Sequence, residues 1–180
     1  MHATLLGILG LALPGALHAQ DSIPVQTDFQ QDKLTGRWYS IGLASNSNWF
    51  KDKKHLMKMC TTVISATTDG NLEVTSTYPK LDRCQKFELL FQRSGQAGHY
   101  MAQEERDLRV METDYSCYAI VHELKQGGQD PHTALQLLTR DQGVSPQLLQ
   151  RFKELILTAG LTKDMMAILP KSGECHEGAG

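Results

Sequence analysis

The sequence predicts an all-β fold, namely an eight-stranded antiparallel up-and-down barrel with one C-terminal α-helix packed against its outside. The first observation is a series of short segments in which apolar and polar residues alternate, from residue 36 to about residue 138. The second is the turn chemistry between these segments, which is rich in glycine, asparagine and aspartate. The third is a single amphipathic pattern of helical period that follows the last segment.

Eight of the alternating segments are candidate strands, and eight is the number at which a closed barrel can enclose one small ligand. Turn signals separate them at residues 67–71, 95–98 and 127–131. The candidate strands are residues 36–43, 57–66, 72–78, 87–93, 99–103, 108–112, 117–124 and 133–140. Alternation of this kind directs every second side chain into the barrel.

The helical pattern after the strands has a signal at each end. Ser145 is a suitable N-cap, and Pro146 occupies the first helical position, where its missing N–H costs no hydrogen bond. Gly160 supplies the stop. The apolar side chains that share one face are Leu148, Leu149, Phe152, Leu155, Ile156 and Ala159. Because an apolar face needs a surface to cover, we expect this helix to lie on the outside of the barrel.

The length of 180 residues suits one domain, and a net charge of −2 offers no basic surface for nucleic acid. An uncharged, leucine-rich stretch near the N-terminus, ended by the small residue Ala19, is typical of a signal peptide. We therefore expect residues 1–19 to be a signal peptide, residues 20–180 to be the mature domain, and the protein to be secreted and extracellular. No later segment approaches the roughly 20 apolar residues of a spanning helix, so we expect no membrane span.

Secretion affects the interpretation of the four cysteines, which are Cys60, Cys84, Cys117 and Cys175. In an oxidising compartment they can pair in three ways, and sequence spacing alone does not choose among them. No two are spaced as C-x-x-C, and the histidines are scattered without an H-E-x-x-H pair. We therefore expect no metal site.

The turn at residues 68–70 predicts the register of one hairpin, because loop length determines which residues pair. A three-residue loop with its glycine in the left-handed conformation sets Thr62 opposite Ser76 and Cys60 opposite Tyr78. Since side chains alternate between faces, a thiol and two hydroxyls then share the inside of the barrel. A two-residue loop would reverse this parity and turn them outward.

Cys60 has two interpretations. A free cysteine in a strand is commonly a small buried hydrophobe, and in that case it only lines the barrel. Alternatively it is a nucleophile, which needs a thiol that can lose its proton. Hydroxyl groups that donate to the sulfur, together with Lys54 and Lys58, would stabilise the thiolate and lower the pKa of the thiol.

Three short motifs occur in order along the chain. They are Gly36-Arg37-Trp38 near the mature N-terminus, Thr113-Asp114-Tyr115 in mid-chain and Arg140 near the end of the last strand. Together they resemble the three motifs of the lipocalin family. The resemblance implies that Trp38 packs at the closed end of the barrel with Arg140 across it, so these residues are structural.

Residues 36–47 and 59–62 carry a closer likeness, which within that family is to the prostaglandin D synthases. It implies that Cys60 is the catalytic nucleophile and that a disulfide joins Cys84 to Cys175. The hydroxyls that surround the thiol in those enzymes fall on Ser40, Thr62 and Ser76. We also expect the ligand to be bound by Trp49, Lys54 and Tyr78.

The same resemblance implies an activity, the isomerisation of prostaglandin H2 to prostaglandin D2. This internal redox reaction needs no metal and no nucleotide cofactor, although a free thiol such as glutathione can assist it. The implied partner is a small lipophilic ligand, and we expect the protein to be a monomer.

An alternative function is that of a non-enzymatic extracellular carrier of fatty acids, retinoids or similar lipids, in which Cys60 only lines the cavity. Residues 99–109 favour it, because this charged segment resembles that of the avian extracellular fatty-acid-binding lipocalins. Siderophore capture or protein binding through the loops is a third alternative without a sequence signal. Siderophore capture would need a cluster of inward basic residues, which the sequence does not reveal.

Overall fold

The computed structural model describes residues 23–80, 83–171 and 175, so the predicted signal peptide lies outside the described residues. Eight strands form the barrel: β1 (Gly36–Ser45), β2 (Cys60–Ala66), β3 (Leu72–Lys80), β4 (Arg83–Arg93), β5 (His99–Ala102), β6 (Arg106–Thr113), β7 (Tyr118–Lys125) and β8 (His132–Thr139). The described helices are α1 (Gln31–Leu34), α2 (Asn48–Lys53) and α3 (Pro146–Thr158).

The strands close into an antiparallel barrel, as the sequence predicts. Each strand from β2 to β8 pairs with the next, and β1 pairs with both β8 and β2. A ninth strand, β9 (Met166–Ile168), pairs with β1 on the outside. The sequence does not predict β9, because three residues are too few to show an alternating pattern. Residues 57–59, expected in the second strand, precede it, and the Met59 N–H donates to the Pro170 carbonyl at 2.9 Å.

The β2–β3 hairpin has the predicted register. Thr62 lies opposite Ser76, and Ala66 lies opposite Leu72. The turn between the strands is closed by Gly70, whose φ of 83° lies in the left-handed region that favours glycine. The inner face of this hairpin therefore carries the side chains that the alternation predicts.

Helix α3 covers one outer wall of the barrel. It begins where predicted, since the Ser145 hydroxyl accepts a hydrogen bond from the Leu148 N–H at 3.1 Å. Phe152 on its inner face is fully buried. Gly42 on β1 permits this close approach, because a Cβ there would lie 2.9 Å from the Phe152 ring. The predicted position of the helix outside the barrel is confirmed.

The closed end of the barrel is built around Trp38, which is fully buried. The Arg140 guanidinium lies over its indole ring at 3.6 Å from the ring centroid. The same guanidinium donates hydrogen bonds to the main-chain carbonyls of Lys33, Thr35, Arg37 and Tyr115. Because residues 33–37 and Tyr115 belong to two separate segments, Arg140 ties these segments together at this end. Its position across Trp38 is the one that the family resemblance implies.

A disulfide joins Cys84 to Cys175, which confirms the predicted pairing. It holds Cys175 against the outer face of β2, where the Thr61 hydroxyl donates to the Cys175 carbonyl at 3.1 Å. Cys60 and Cys117 are free thiols. Within the described part of the chain, no helix has the length and apolar character needed to cross a bilayer.

Candidate functional site

The barrel encloses a cavity of about 740 Å³ that opens at the end opposite Trp38. A volume of this size falls within the roughly 300–1,000 Å³ that is typical of sites for small molecules. Apolar side chains from most of the strands line it, among them Ile64, Val74, Leu89, Phe91, Val110 and Leu138. The interior is therefore suited to an apolar ligand.

Helix α2 lies over the open end and forms part of the cavity wall. Phe50 anchors it, being only 2% exposed, whereas Trp49 beside it is 58% exposed and also lines the cavity. The Asp130 carboxylate, from the β7–β8 loop, accepts hydrogen bonds from the N–H groups of Asn48 at 3.0 Å and Trp49 at 3.1 Å. The carboxylate thus connects the start of α2 to the neighbouring β7–β8 loop at the rim of the opening.

Two of the predicted hydroxyls meet inside the cavity. Thr62 and Ser76 both line it, and their side-chain oxygens lie 3.3 Å apart. This contact follows from the register of the hairpin, which sets the two residues opposite each other. The two hydroxyls are polar groups on the otherwise apolar β2–β3 wall, and they can hydrogen-bond to a ligand oxygen.

Cys60 lines a second space of about 520 Å³ at the mouth of the barrel. Trp49 and Tyr78 line this mouth pocket and also the main cavity, so the two spaces adjoin across these side chains. Two of the three predicted ligand-binding residues therefore lie between the thiol and the cavity. Cys60 and Thr62 lie on the same face of β2, and Cys60 is two residues nearer the open end.

Burial raises the pKa of the Cys60 thiol to about 11. The thiol donates a hydrogen bond to the Lys58 carbonyl, with the sulfur and oxygen 3.6 Å apart, and this bond stabilises the protonated form. The expectation of a lowered thiol pKa is therefore wrong. Hydroxyl groups near the sulfur were expected to donate to it, but Thr62 and Ser76 bond to each other instead.

Ser40 lies opposite Cys60 in the β1–β2 pair and is buried. Its hydroxyl accepts a hydrogen bond from the Gln136 side-chain amide at 2.5 Å. Gln136 lines the main cavity. Ser40 thus lies across from Cys60 in the sheet, while its hydroxyl is hydrogen-bonded to a side chain of the other neighbouring strand, β8.

Lys54, the third residue expected to bind the ligand, points away from both spaces. Its ammonium group donates to the main-chain carbonyl of Asp164, which follows helix α3. The lysines that do line the mouth pocket are Lys53 and Lys58. The sequence analysis did not predict helix α2, which ends at Lys53, so it could not distinguish Lys53 from Lys54, the next residue.

The wall of the cavity opposite the hydroxyl pair is charged, which the sequence analysis missed. Arg106 and Glu123 both line the cavity and form an ion pair. Lys125 also lines it, and its ammonium lies 3.5 Å from the Glu104 carboxylate. Strict alternation along β6 and β7 would have found these side chains, since Arg106 shares its face with the inward Val110. Two inward basic residues are thus present, each beside a carboxylate.

Metal ligands were not expected from the sequence. Among the described residues, no three side chains of histidine, cysteine, aspartate or glutamate are arranged so that they could hold a metal ion. The polar side chains that line the two spaces include hydroxyls, a thiol, amides, a histidine and charged groups.

Similar proteins share this architecture. A curated protein named lipocalin from Rhinella marina is 44% identical over 165 residues, which is 89% of this chain and 90% of that protein. One named prostaglandin-H2 D-isomerase from Equus caballus is 38% identical over 187 residues, covering 98% of this chain and 94% of that protein.

A solved structure described as "The Siderocalin Ex-FABP functions through dual ligand specificities" superimposes with a TM-score of 0.73. It is 30% identical in sequence, and the alignment covers 79% of this chain and 97% of that one. The profile of the Lipocalin / cytosolic fatty-acid binding protein family matches residues 35–173. The chain therefore belongs to the lipocalin family.

Proposed function

We propose that this protein is a secreted, monomeric lipocalin that binds small lipophilic molecules and isomerises prostaglandin H2 to prostaglandin D2. The observation that carries the catalytic part is the Cys60 thiol in a mouth pocket that adjoins a large apolar cavity. A disulfide between Cys84 and Cys175 is consistent with secretion. The relative named prostaglandin-H2 D-isomerase supports the choice of substrate.

The cavity supports lipid binding through its volume and its apolar walls. A ligand with a long hydrocarbon chain would fill the deeper part, between Val74 and Leu138. Its polar end would then lie near the Thr62–Ser76 hydroxyl pair and the mouth pocket. This orientation would bring a peroxide group towards the thiol while excluding bulk water from the reaction.

In the proposed reaction, the Cys60 sulfur attacks the endoperoxide oxygen on carbon 11 and forms an S–O bond. The O–O bond breaks, and its electron pair stays on the oxygen of carbon 9, which takes a proton and becomes a hydroxyl. Removal of the proton on carbon 11 then forms the ketone, while the S–O bond breaks and the sulfur leaves as thiolate. Carbon 11 is oxidised and the peroxide is reduced, so no external oxidant or reductant is needed.

The protons also balance within the site. The proton that the thiol loses is matched by the one that the carbon 9 oxygen gains, and the proton from carbon 11 restores the thiol. Thr62 and Ser76 can hold the substrate oxygens and pass a proton, since each hydroxyl both donates and accepts. Because the thiol pKa is about 11, we expect the rate to rise with pH between neutrality and that value, by about tenfold per unit while deprotonation limits it.

The test is product analysis after the mature protein is incubated with prostaglandin H2 and a thiol. We expect prostaglandin D2 above the spontaneous rate, and loss of this product in Cys60→Ala. Cys117→Ala is the matched control, because Cys117 is the other free thiol and is exposed. That variant should keep the activity.

A second candidate function is lipid carriage without catalysis. The raised pKa of Cys60 favours it, since a protonated thiol is a weak nucleophile. The similarity to a structure described as a siderocalin with dual ligand specificities also favours a binding protein. Equal yields of prostaglandin D2 from the protein, from Cys60→Ala and from buffer, with lipid binding intact, would establish the carrier and exclude the isomerase.

A further inference from the structure

Residues 48–58, here called the mouth segment, expose apolar side chains at the open end of the barrel. Trp49 is 58% exposed and Leu56 is 67% exposed, although both are large apolar residues. They flank the mouth pocket that contains Cys60. Exposed apolar side chains of this size at the rim of the same pocket indicate an interaction surface.

The mouth segment is also strongly cationic. Its four lysines and one aspartate give a formal charge of +3, in a chain whose net charge is −2. Lys51 and Lys53 are exposed. The adjacent strand β4 adds two exposed cations, Arg83 and Lys86, close to the same end of the barrel. The Asp130 carboxylate lies at the main chain of Trp49, but cations outnumber carboxylates around the exposed apolar side chains.

Three kinds of partner could meet such a surface, and two of them fit poorly. A second copy of this chain would bring one +3 segment against another, which is unfavourable. A soluble polyanion would pair with the lysines but leave Trp49 and Leu56 in water. An anionic lipid surface satisfies both features, because its headgroups attract lysines and its interface accepts tryptophan and leucine.

We propose that the mouth segment docks the open end of the barrel onto anionic lipid membranes. Trp49 and Leu56 enter the interface, and the exposed Lys51 and Lys53 contact the headgroups. Docking places the mouth pocket against the membrane, so that a lipophilic ligand can pass between bilayer and cavity without crossing water. The docking rests on the mouth segment alone, whereas its role in ligand exchange rests on the proposed function.

The test compares binding of the mature protein to vesicles of phosphatidylcholine with and without phosphatidylserine, measured by sedimentation in the absence of ligand. We expect binding to the mixed vesicles that weakens with salt, together with a blue shift of tryptophan emission. Lys51→Glu should weaken binding about tenfold. Lys33→Glu is the matched control, because Lys33 is an exposed lysine of α1 at the closed end, and it should bind like the unchanged protein.

A second variant separates membrane insertion from simple charge attraction. Leu56→Ser keeps every charge, and we expect it to weaken vesicle binding about fivefold because it removes an apolar side chain from the interface. Equal weakening by Lys51→Glu and Lys33→Glu would overturn the proposal, since binding would then follow net charge. Vesicle binding that is unaffected by Leu56→Ser would overturn the insertion of the segment into the membrane. Stronger binding to heparin than to mixed vesicles would assign the segment to a soluble polyanion instead.

Discussion

The two ends of the barrel each carry a tryptophan, and the two tryptophans have opposite surroundings. Trp38 at the closed end is fully buried, whereas Trp49 at the open end is 58% exposed. The indole N–H of Trp38 donates to the Leu34 carbonyl at 2.9 Å, and its ring is covered by Arg140. Trp49 is positioned through its main chain, which bonds to Asp130.

The ends are therefore held together in different ways. Close packing and the hydrogen bonds of one arginine fix the closed end. The open end is fastened by single links between separate segments, namely the Asp130 carboxylate, the Lys54 contact with Asp164 and the Cys84–Cys175 disulfide. Links of this kind hold the loops without filling the space between them. The interior near the opening thus stays available for a ligand, and stability is concentrated at the other end.

The largest expected difference between the ends is in stability. Trp38→Ala should lower the free energy of unfolding by about 4 kcal/mol, because it leaves a cavity in a fully buried core and removes the surface on which Arg140 rests. Trp49→Ala is the matched comparison and should change the free energy of unfolding by less than about 0.5 kcal/mol. Urea unfolding followed by circular dichroism measures both. Similar losses in the two variants would contradict the division between the ends.

A smaller effect is expected from the Asp130 contact with α2. Asp130→Gly removes both acceptor oxygens while tolerating the local φ of 56°, and Asp130→Asn retains one acceptor. We expect the glycine variant to make Trp49 more accessible to acrylamide quenching, with the asparagine variant intermediate. The unfolding midpoint should change little, because the carboxylate is exposed to solvent.

The same contact should respond to pH. The N–H groups of Asn48 and Trp49 hold the pKa of Asp130 below its ordinary value of 3.8. The hydrogen bonds from Asn48 and Trp49 to the Asp130 carboxylate are therefore fully formed above a pH of 3.8, and they are lost as the pH falls through the lowered pKa of Asp130. Quenching of Trp49 should increase over that acidic range in the unchanged protein and stay flat in Asp130→Gly. A flat profile in both would show that Asp130 does not hold α2.

The features that the sequence predicted correctly are those set by local rules. The turn at residues 68–70 determines the β2–β3 register, and this register brings Thr62 to Ser76. One feature that it missed, the direction of each lysine near the opening, depends on the short helical segments that follow β1. Lys54 and Lys53 are adjacent in sequence, yet one contacts Asp164 and the other lines the mouth pocket. No periodicity in the sequence reveals such short segments, so their side-chain directions follow from tertiary contacts.

The pKa of Cys60 was mispredicted for a related reason. Alternation along β2 placed the thiol on the face of Thr62, where it lines the mouth pocket and not the main cavity, but alternation could not state which atom the thiol would bond. The partner is the Lys58 carbonyl, two residues away in the chain, rather than a hydroxyl across the hairpin. A hydrogen bond to a carbonyl favours the protonated thiol, and burial acts in the same direction.

The most direct test of ligand binding inside the barrel is a titration with a fluorescent fatty acid, using two neighbouring substitutions on β3. Val74→Trp fills part of the cavity, whereas Glu73→Trp adds the same side chain to the exposed outer face. We expect Val74→Trp to weaken binding by roughly tenfold or more and Glu73→Trp to leave it unchanged. Equal affinities in the two variants would contradict this account, because the ligand would then bind outside the barrel.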